Sequence, residues 1–108
     1  MLTCLYLIGS NMMNNYYLDE RQKEIMSIAQ EECAEVVQAI SKIFRFGLDE
    51  MYEGRTNRER LEMELGDLQC MITLLKQYDI VDETNVYRAE VAKRSRLGKW
   101  SNIFTEVQ

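Results

Sequence analysis

Residues 19–46 read DERQKEIMSIAQEECAEVVQAISKIFRF. Apolar residues recur there as Ile25, Ile28, Ala39 and Ile43, and the track between them is continued by Glu32 and Glu35. From Ile25 the steps are 3, 4, 3, 4 and 4, the period of one helix face. Asp19 suits the N-cap and Glu20 the first turn. Arg45 complements the C-terminus, and Gly47 suits the position just beyond it. One helix is expected from Asp19 to Phe46, a rod of roughly 40 Å at ~1.5 Å per residue.

A second helix is expected from Thr56-Asn57-Arg58-Glu59, a capping box, to about Tyr78. Its inward track runs Leu61, Glu64, Leu68, Met71, Leu75 and Tyr78, with Asp67 beside it. A loop from Gly47 to Arg55 separates the two helices, with a short turn of helix expected at Asp49 to Tyr52. An acidic connector, Asp79 to Glu83, leads to a third helix over Thr84 to Leu97 that stops at Gly98. The chain has no proline and 5 glycines, which favours long helices. No strand-like alternation occurs outside the first eight positions. The fold class read from this pattern is all-α: a helical bundle with two long core helices and a third, C-terminal helix. Faces such as Val36, Ile40, Ile72 and Leu74 need cover, so a homodimer or homotetramer is expected to complete the bundle. Residues 14–108 form the domain, and residues 1–13 are a peripheral extension. Translation is expected to start at Met12 or Met13, after the Gly9-Ser10-Asn11 break.

The 108 residues fit one small domain, and 46% hydrophobic with 29% charged residues is the profile of a soluble protein. A net charge of −5 makes a poor general binder of nucleic acid, whose phosphates require a basic surface. No run reaches the ~18 apolar residues of a membrane span. Residues Met1 to Ile8 are apolar but lack the basic start and cleavage site of a signal peptide. Neither nucleic acid nor membrane is an expected partner. Cys4, Cys33 and Cys70 lie far apart, which argues against a zinc site or a disulfide framework. Cys33 and Cys70 read as small reduced helix residues, and the setting as cytoplasmic.

Glu32 with Glu35, and Glu64 with Asp67, are spaced i,i+3 and so differ by roughly 60° around their helices. Single acidic pairs of this kind are common on solvated helix faces. Two of them on or beside inward tracks are not, because buried carboxylates require partners. Four facing one space repel one another, and a divalent cation keeps them ionised. With no histidine in the chain, the ligands are oxygen only. That favours Mg²⁺ or Mn²⁺ over zinc, copper or iron. Magnesium bridges to substrate phosphate, which points to a nucleotide or another polyphosphate.

Glu31-Glu32-Cys33-Ala34-Glu35, followed after 28 residues by Glu64-Leu65-Gly66-Asp67, resembles the EExxE…ExxD signature of the all-α nucleoside triphosphate pyrophosphohydrolases, the MazG-like group. The resemblance covers about residues 20 to 100. The small size, the Arg45-Phe46-Gly47 helix end and the basic segment before Trp100 are similar to small MazG-like proteins often encoded by phages. The resemblance implies hydrolysis of a (deoxy)nucleoside triphosphate between the α and β phosphates, giving monophosphate and pyrophosphate. It implies that Glu32, Glu35, Glu64 and Asp67 hold Mg²⁺. Glu31 is then a supporting group or the base for the attacking water, or else a solvated helix residue.

Phosphates also need cations. Lys42 is i+7 from Glu35 and shares its face, with Arg45 nearby. Lys93, Arg94, Arg96 and Lys99 form the densest basic cluster, which serves either the substrate or the helix C-terminus. Family analogy places Lys93 and Arg96 near the phosphates. Trp100 either stacks on a base or caps the bundle, and Tyr16, Tyr17 and Phe44 carry the same two readings. Two other readings compete. One is a non-catalytic helical adaptor, which would function equally in EDTA. The other is a chorismate-mutase-like enzyme, which would want core-facing arginines, whereas Arg58, Arg60 and Arg88 fall off the apolar tracks.

Overall fold

A computed structural model describes residues 17–105. The N-terminal extension, the expected start at Met12 or Met13, Cys4 and Tyr16 lie outside the described residues. Three helices make up most of the fold: α1 over Glu20–Phe46, α2 over Asn57–Gln77 and α3 over Glu83–Trp100. The all-α reading holds.

Local chemistry accounts for the helix ends. Asp19 caps α1 by accepting from the Gln22 backbone N–H at 2.7 Å, and Gln22 Oε1 accepts from the Asp19 N–H at 3.0 Å. Gly47 ends α1 at φ 94° and donates to the Ile43 carbonyl at 2.8 Å. The Thr56–Glu59 capping box opens α2, with backbone-to-side-chain bonds of 2.8 and 3.0 Å. Asp82 caps α3 through the Asn85 N–H at 2.9 Å.

Two expectations need correction. No helical turn forms at Asp49 to Tyr52. Met51–Tyr52 (β1) instead pairs antiparallel with Arg55–Thr56 (β2), Met51 opposite Thr56 and Tyr52 opposite Arg55. The turn between them places Glu53 at φ 49° and Gly54 at φ 82°, two consecutive left-handed residues as a tight hairpin requires. Helix α3 does not stop at Gly98; it runs to Trp100, and Ser101 closes it through the Leu97 carbonyl at 3.1 Å. A glycine inside a helix costs about 1 kcal/mol relative to alanine, which weakens the helix without ending it.

Helices α1 and α2 pack as an antiparallel pair. At one end the Gln22 side chain donates to the Tyr78 carbonyl at 3.0 Å, and the Arg21 guanidinium lies 5.1 Å from the Tyr78 ring centroid. At the other end Asn57 Nδ2 donates to the Gly47 carbonyl at 2.9 Å. Between these ties, Ile25, Ala29 and Met71 form the buried cluster, with Ile28, Leu74, Leu75, Tyr78 and Ile80 packed on it. Leu74, expected on a bare face, is part of this packing. Among the described residues four apolar side chains are buried, Ala39 being the fourth, and α3 buries none.

Candidate active site

Halfway along α1 the inward face changes from aliphatic to acidic. Glu32 is half-buried at the position after Ile25 and Ile28 on the track, and Glu64 is half-buried on the facing side of α2. One helical turn beyond Glu64, Asp67 reaches the same space. Carboxylate oxygens of Glu32, Glu64 and Asp67 all lie within 4.8 Å of one another. The antiparallel pairing of the two helices makes this possible, because it brings the middle of α1 opposite the first half of α2.

Glu35 stands apart from that triad. It is exposed, and Val36 and Ala39 turn further inward than it does. Its charge still reaches the cluster. Partial burial, then the charges of Asp67, Glu64, Glu35 and Glu31, push the Glu32 carboxyl above the usual carboxylate range. Partial burial, then Glu35 and Asp67, push Glu64 up as well. Loss of solvent, first, and then repulsion among the acids both disfavour the charged forms here. A hard divalent cation relieves the repulsion, and a donor set of carboxylate oxygens from two helices suits such an ion.

Beside the acids lies a cavity of 190 Å³ lined by Glu35, Gln38, Lys42, Asn57, Arg60 and Glu64, among others. Lys42 therefore sits on the wall that carries Glu35, as its i+7 spacing suggests. Arg45 does not line this cavity; its guanidinium lies 5.0 Å from the Phe46 ring centroid. Glu31 is exposed next to Glu32. Lys93, Arg96 and Trp100 are exposed on α3 and line neither this cavity nor the one beneath the hairpin. Cys33 and Cys70 are free and exposed.

Arg60 escaped the sequence reading. It falls off the apolar track, yet it is half-buried and lines the cavity. The signal was its place four residues before Glu64, which puts both on one helix face. Asn57 was read only as part of a capping box; at 5% exposed it is the one buried polar residue among those described.

The sequence model of the MazG nucleotide pyrophosphohydrolase domain matches residues 20–97, which contain every residue of the acidic cluster and both cavities. No curated protein and no solved structure matches the chain at a significant level. No described helix is long and apolar enough to cross a membrane.

Proposed function

Because the chain belongs to the MazG nucleotide pyrophosphohydrolase domain family, we propose that it hydrolyses a (deoxy)nucleoside triphosphate between the α and β phosphates in a Mg²⁺-dependent reaction. Water adds to the α-phosphorus, the bond to the bridging oxygen breaks, and nucleoside monophosphate and pyrophosphate leave. The observation that carries this reading is the convergence of Glu32, Glu64 and Asp67 within 4.8 Å, from two helices inside the matched region.

Glu32, Glu64 and Asp67 hold the cation, with Glu35 as the fourth acid at the rim. Bound Mg²⁺, or Mn²⁺ in its place, supplies charge neutralisation at the phosphates and acidifies the attacking water. The chain's own contribution is position and charge. Lys42 meets phosphate oxygens from the cavity wall that also carries Glu35. Glu31, exposed one residue before Glu32, takes the proton of the water or supports the acids that hold the ion. Lys93, Arg96 and Trp100 serve the substrate only if a second copy brings α3 to the acidic cluster, and Arg45 only if it leaves the Phe46 ring.

A homodimer or homotetramer fits this requirement. Phe44 at 85% and Trp100 at 82% exposed are large apolar groups that a neighbour would cover. The test is a panel of common NTPs and dNTPs with Mg²⁺, read as pyrophosphate release. Glu64→Ala and Asp67→Ala abolish turnover while helical content by circular dichroism stays near that of the parent. If no nucleotide releases pyrophosphate and EDTA changes nothing, the adaptor reading takes its place.

A further inference from the structure

Lys42, Asn57 and Arg60 line both the acid-bearing cavity and a second one of 400 Å³ beneath the β1–β2 hairpin. The two spaces are therefore halves of one groove with a shared cationic waist. Their chemistry differs. The first half carries Glu35 and Glu64, whereas the second sets Glu50 beside the apolar walls of Phe46, Met51 and Tyr52. Those three walls are 57%, 60% and 61% exposed. Large apolar side chains left open around one concavity mark a place where something binds. Spaces of roughly 300–1,000 Å³ with apolar walls and a few polar groups are the usual seats of small organic ligands.

Arg60 joins the two halves. Its guanidinium lies 5.4 Å from the Tyr52 ring centroid, and Nη2 donates to the Tyr52 carbonyl oxygen. Its Nε is buried without a hydrogen-bond partner. A phosphate passing the waist meets the positive charges of Lys42 and of the Arg60 guanidinium. A polyphosphate anchored at the acids and passing this waist delivers whatever its terminal phosphate carries to the hairpin side. There it meets an aromatic ring, a thioether and a second aromatic ring.

We infer that the hairpin cavity seats the nucleoside of the substrate, with Tyr52 as its stacking surface and Arg60 as the positioning residue that fixes Tyr52. This inference rests on the proposed nucleotide chemistry of the acidic site, but its test is a binding measurement. The full chain with Mg²⁺ is titrated calorimetrically with a non-hydrolysable nucleoside triphosphate analogue and, separately, with inorganic tripolyphosphate. The parent is expected to bind the nucleotide more tightly than tripolyphosphate. Tyr52→Ala should weaken the nucleotide roughly tenfold, the scale of one lost base–aromatic stack, and leave tripolyphosphate unchanged. Tyr52→Phe should retain the parent's nucleotide affinity. Arg60→Lys, which keeps the charge but loses the planar fork, should keep tripolyphosphate binding and lose part of the nucleotide advantage.

Equal affinity of the parent for the two ligands overturns the inference. So does a Tyr52→Ala loss that is absent or the same for both. A change in the oligomeric mass of Tyr52→Ala by light scattering also overturns it, by making the hairpin a contact between copies. Nucleotide binding that depends on Tyr52 without any pyrophosphate release from the parent would keep the nucleoside seat and sink the hydrolysis.

Discussion

The side-chain amide of Asn57 donates to the backbone carbonyl of Gly47 at 2.9 Å, while the Asn57 backbone N–H donates to the Glu50 carbonyl at 3.1 Å. One buried residue thus ties the last turn of α1, the loop and the first turn of α2 together at the waist of the groove. Replacing it by alanine removes the donor to the Gly47 carbonyl and the tie between the two helices. Asn57→Ala should cost about 0.5–1.5 kcal/mol, the range for the net loss of one hydrogen bond. Urea unfolding followed by circular dichroism measures this, and a loss below about 0.5 kcal/mol would show that the tie is not needed.

Crowding of acids predicts a conflict between stability and ion binding. Without metal, Glu32→Gln should raise the melting temperature, because it removes a carboxylate that burial and the charges of Asp67, Glu64, Glu35 and Glu31 oppose. With Mg²⁺ added, the parent should gain thermal stability by mass action and the variant should gain much less. A thermal-shift titration in EDTA and in Mg²⁺ reads both effects; an identical Mg²⁺ response in the two proteins contradicts the ligand assignment.

The capping box of α2 gives a pH signature. Backbone and side-chain hydrogen bonds from Thr56, with help from Arg55, hold the Glu59 carboxyl below its ordinary value. A lowered folded-state value means that the unfolded chain binds the proton more readily. The stabilisation is therefore complete above the unfolded value and is lost as pH falls through the lower, folded one. Thr56→Ala should lower stability by about 1 kcal/mol at neutral pH through loss of the cap. The gap in melting temperature between parent and variant should narrow from pH 7 to pH 3. A gap that widens on acidification would refute the assignment.

Backbone strain at the hairpin tip predicts a gain. Glu53 holds φ 49° in a turn that favours asparagine or glycine at this position. Glu53→Asn should stabilise the hairpin by less than about 1 kcal/mol, part of the left-handed penalty. An unchanged or lower unfolding midpoint would show that the turn relaxes without cost.

The long helices were legible because their ends and faces carry independent signals that agree. Asp19, Thr56 and Gly47 mark boundaries, and the track from Leu61 to Tyr78 is buried or half-buried at every position. The acidic cluster was legible for the same reason, since Glu32 and Glu64 interrupt those tracks and Asp67 lies beside the second. Glu35 fell outside the close triad because successive steps of 3 and 4 leave latitude of tens of degrees, and Val36 took the inward place. The hairpin was not legible. Its strands are two residues each, too short for a period, and Glu53-Gly54 lacks the asparagine that usually announces such a turn. Arg60 was missed because it earns its place through Tyr52, a contact that exists only once the hairpin has formed.

Helix α3 has a cap at each end but no buried residue along its 18 positions. Local hydrogen bonding alone leaves a helix of this length close to the coil transition in water. Deuterium uptake should then be graded along the chain. Amides of α3 would exchange through local fraying, whereas those around Ile25, Ala29 and Met71 would wait for the clamped pair to open as a whole. Slow exchange in α3 that depended on protein concentration would report directly the free energy of docking between copies.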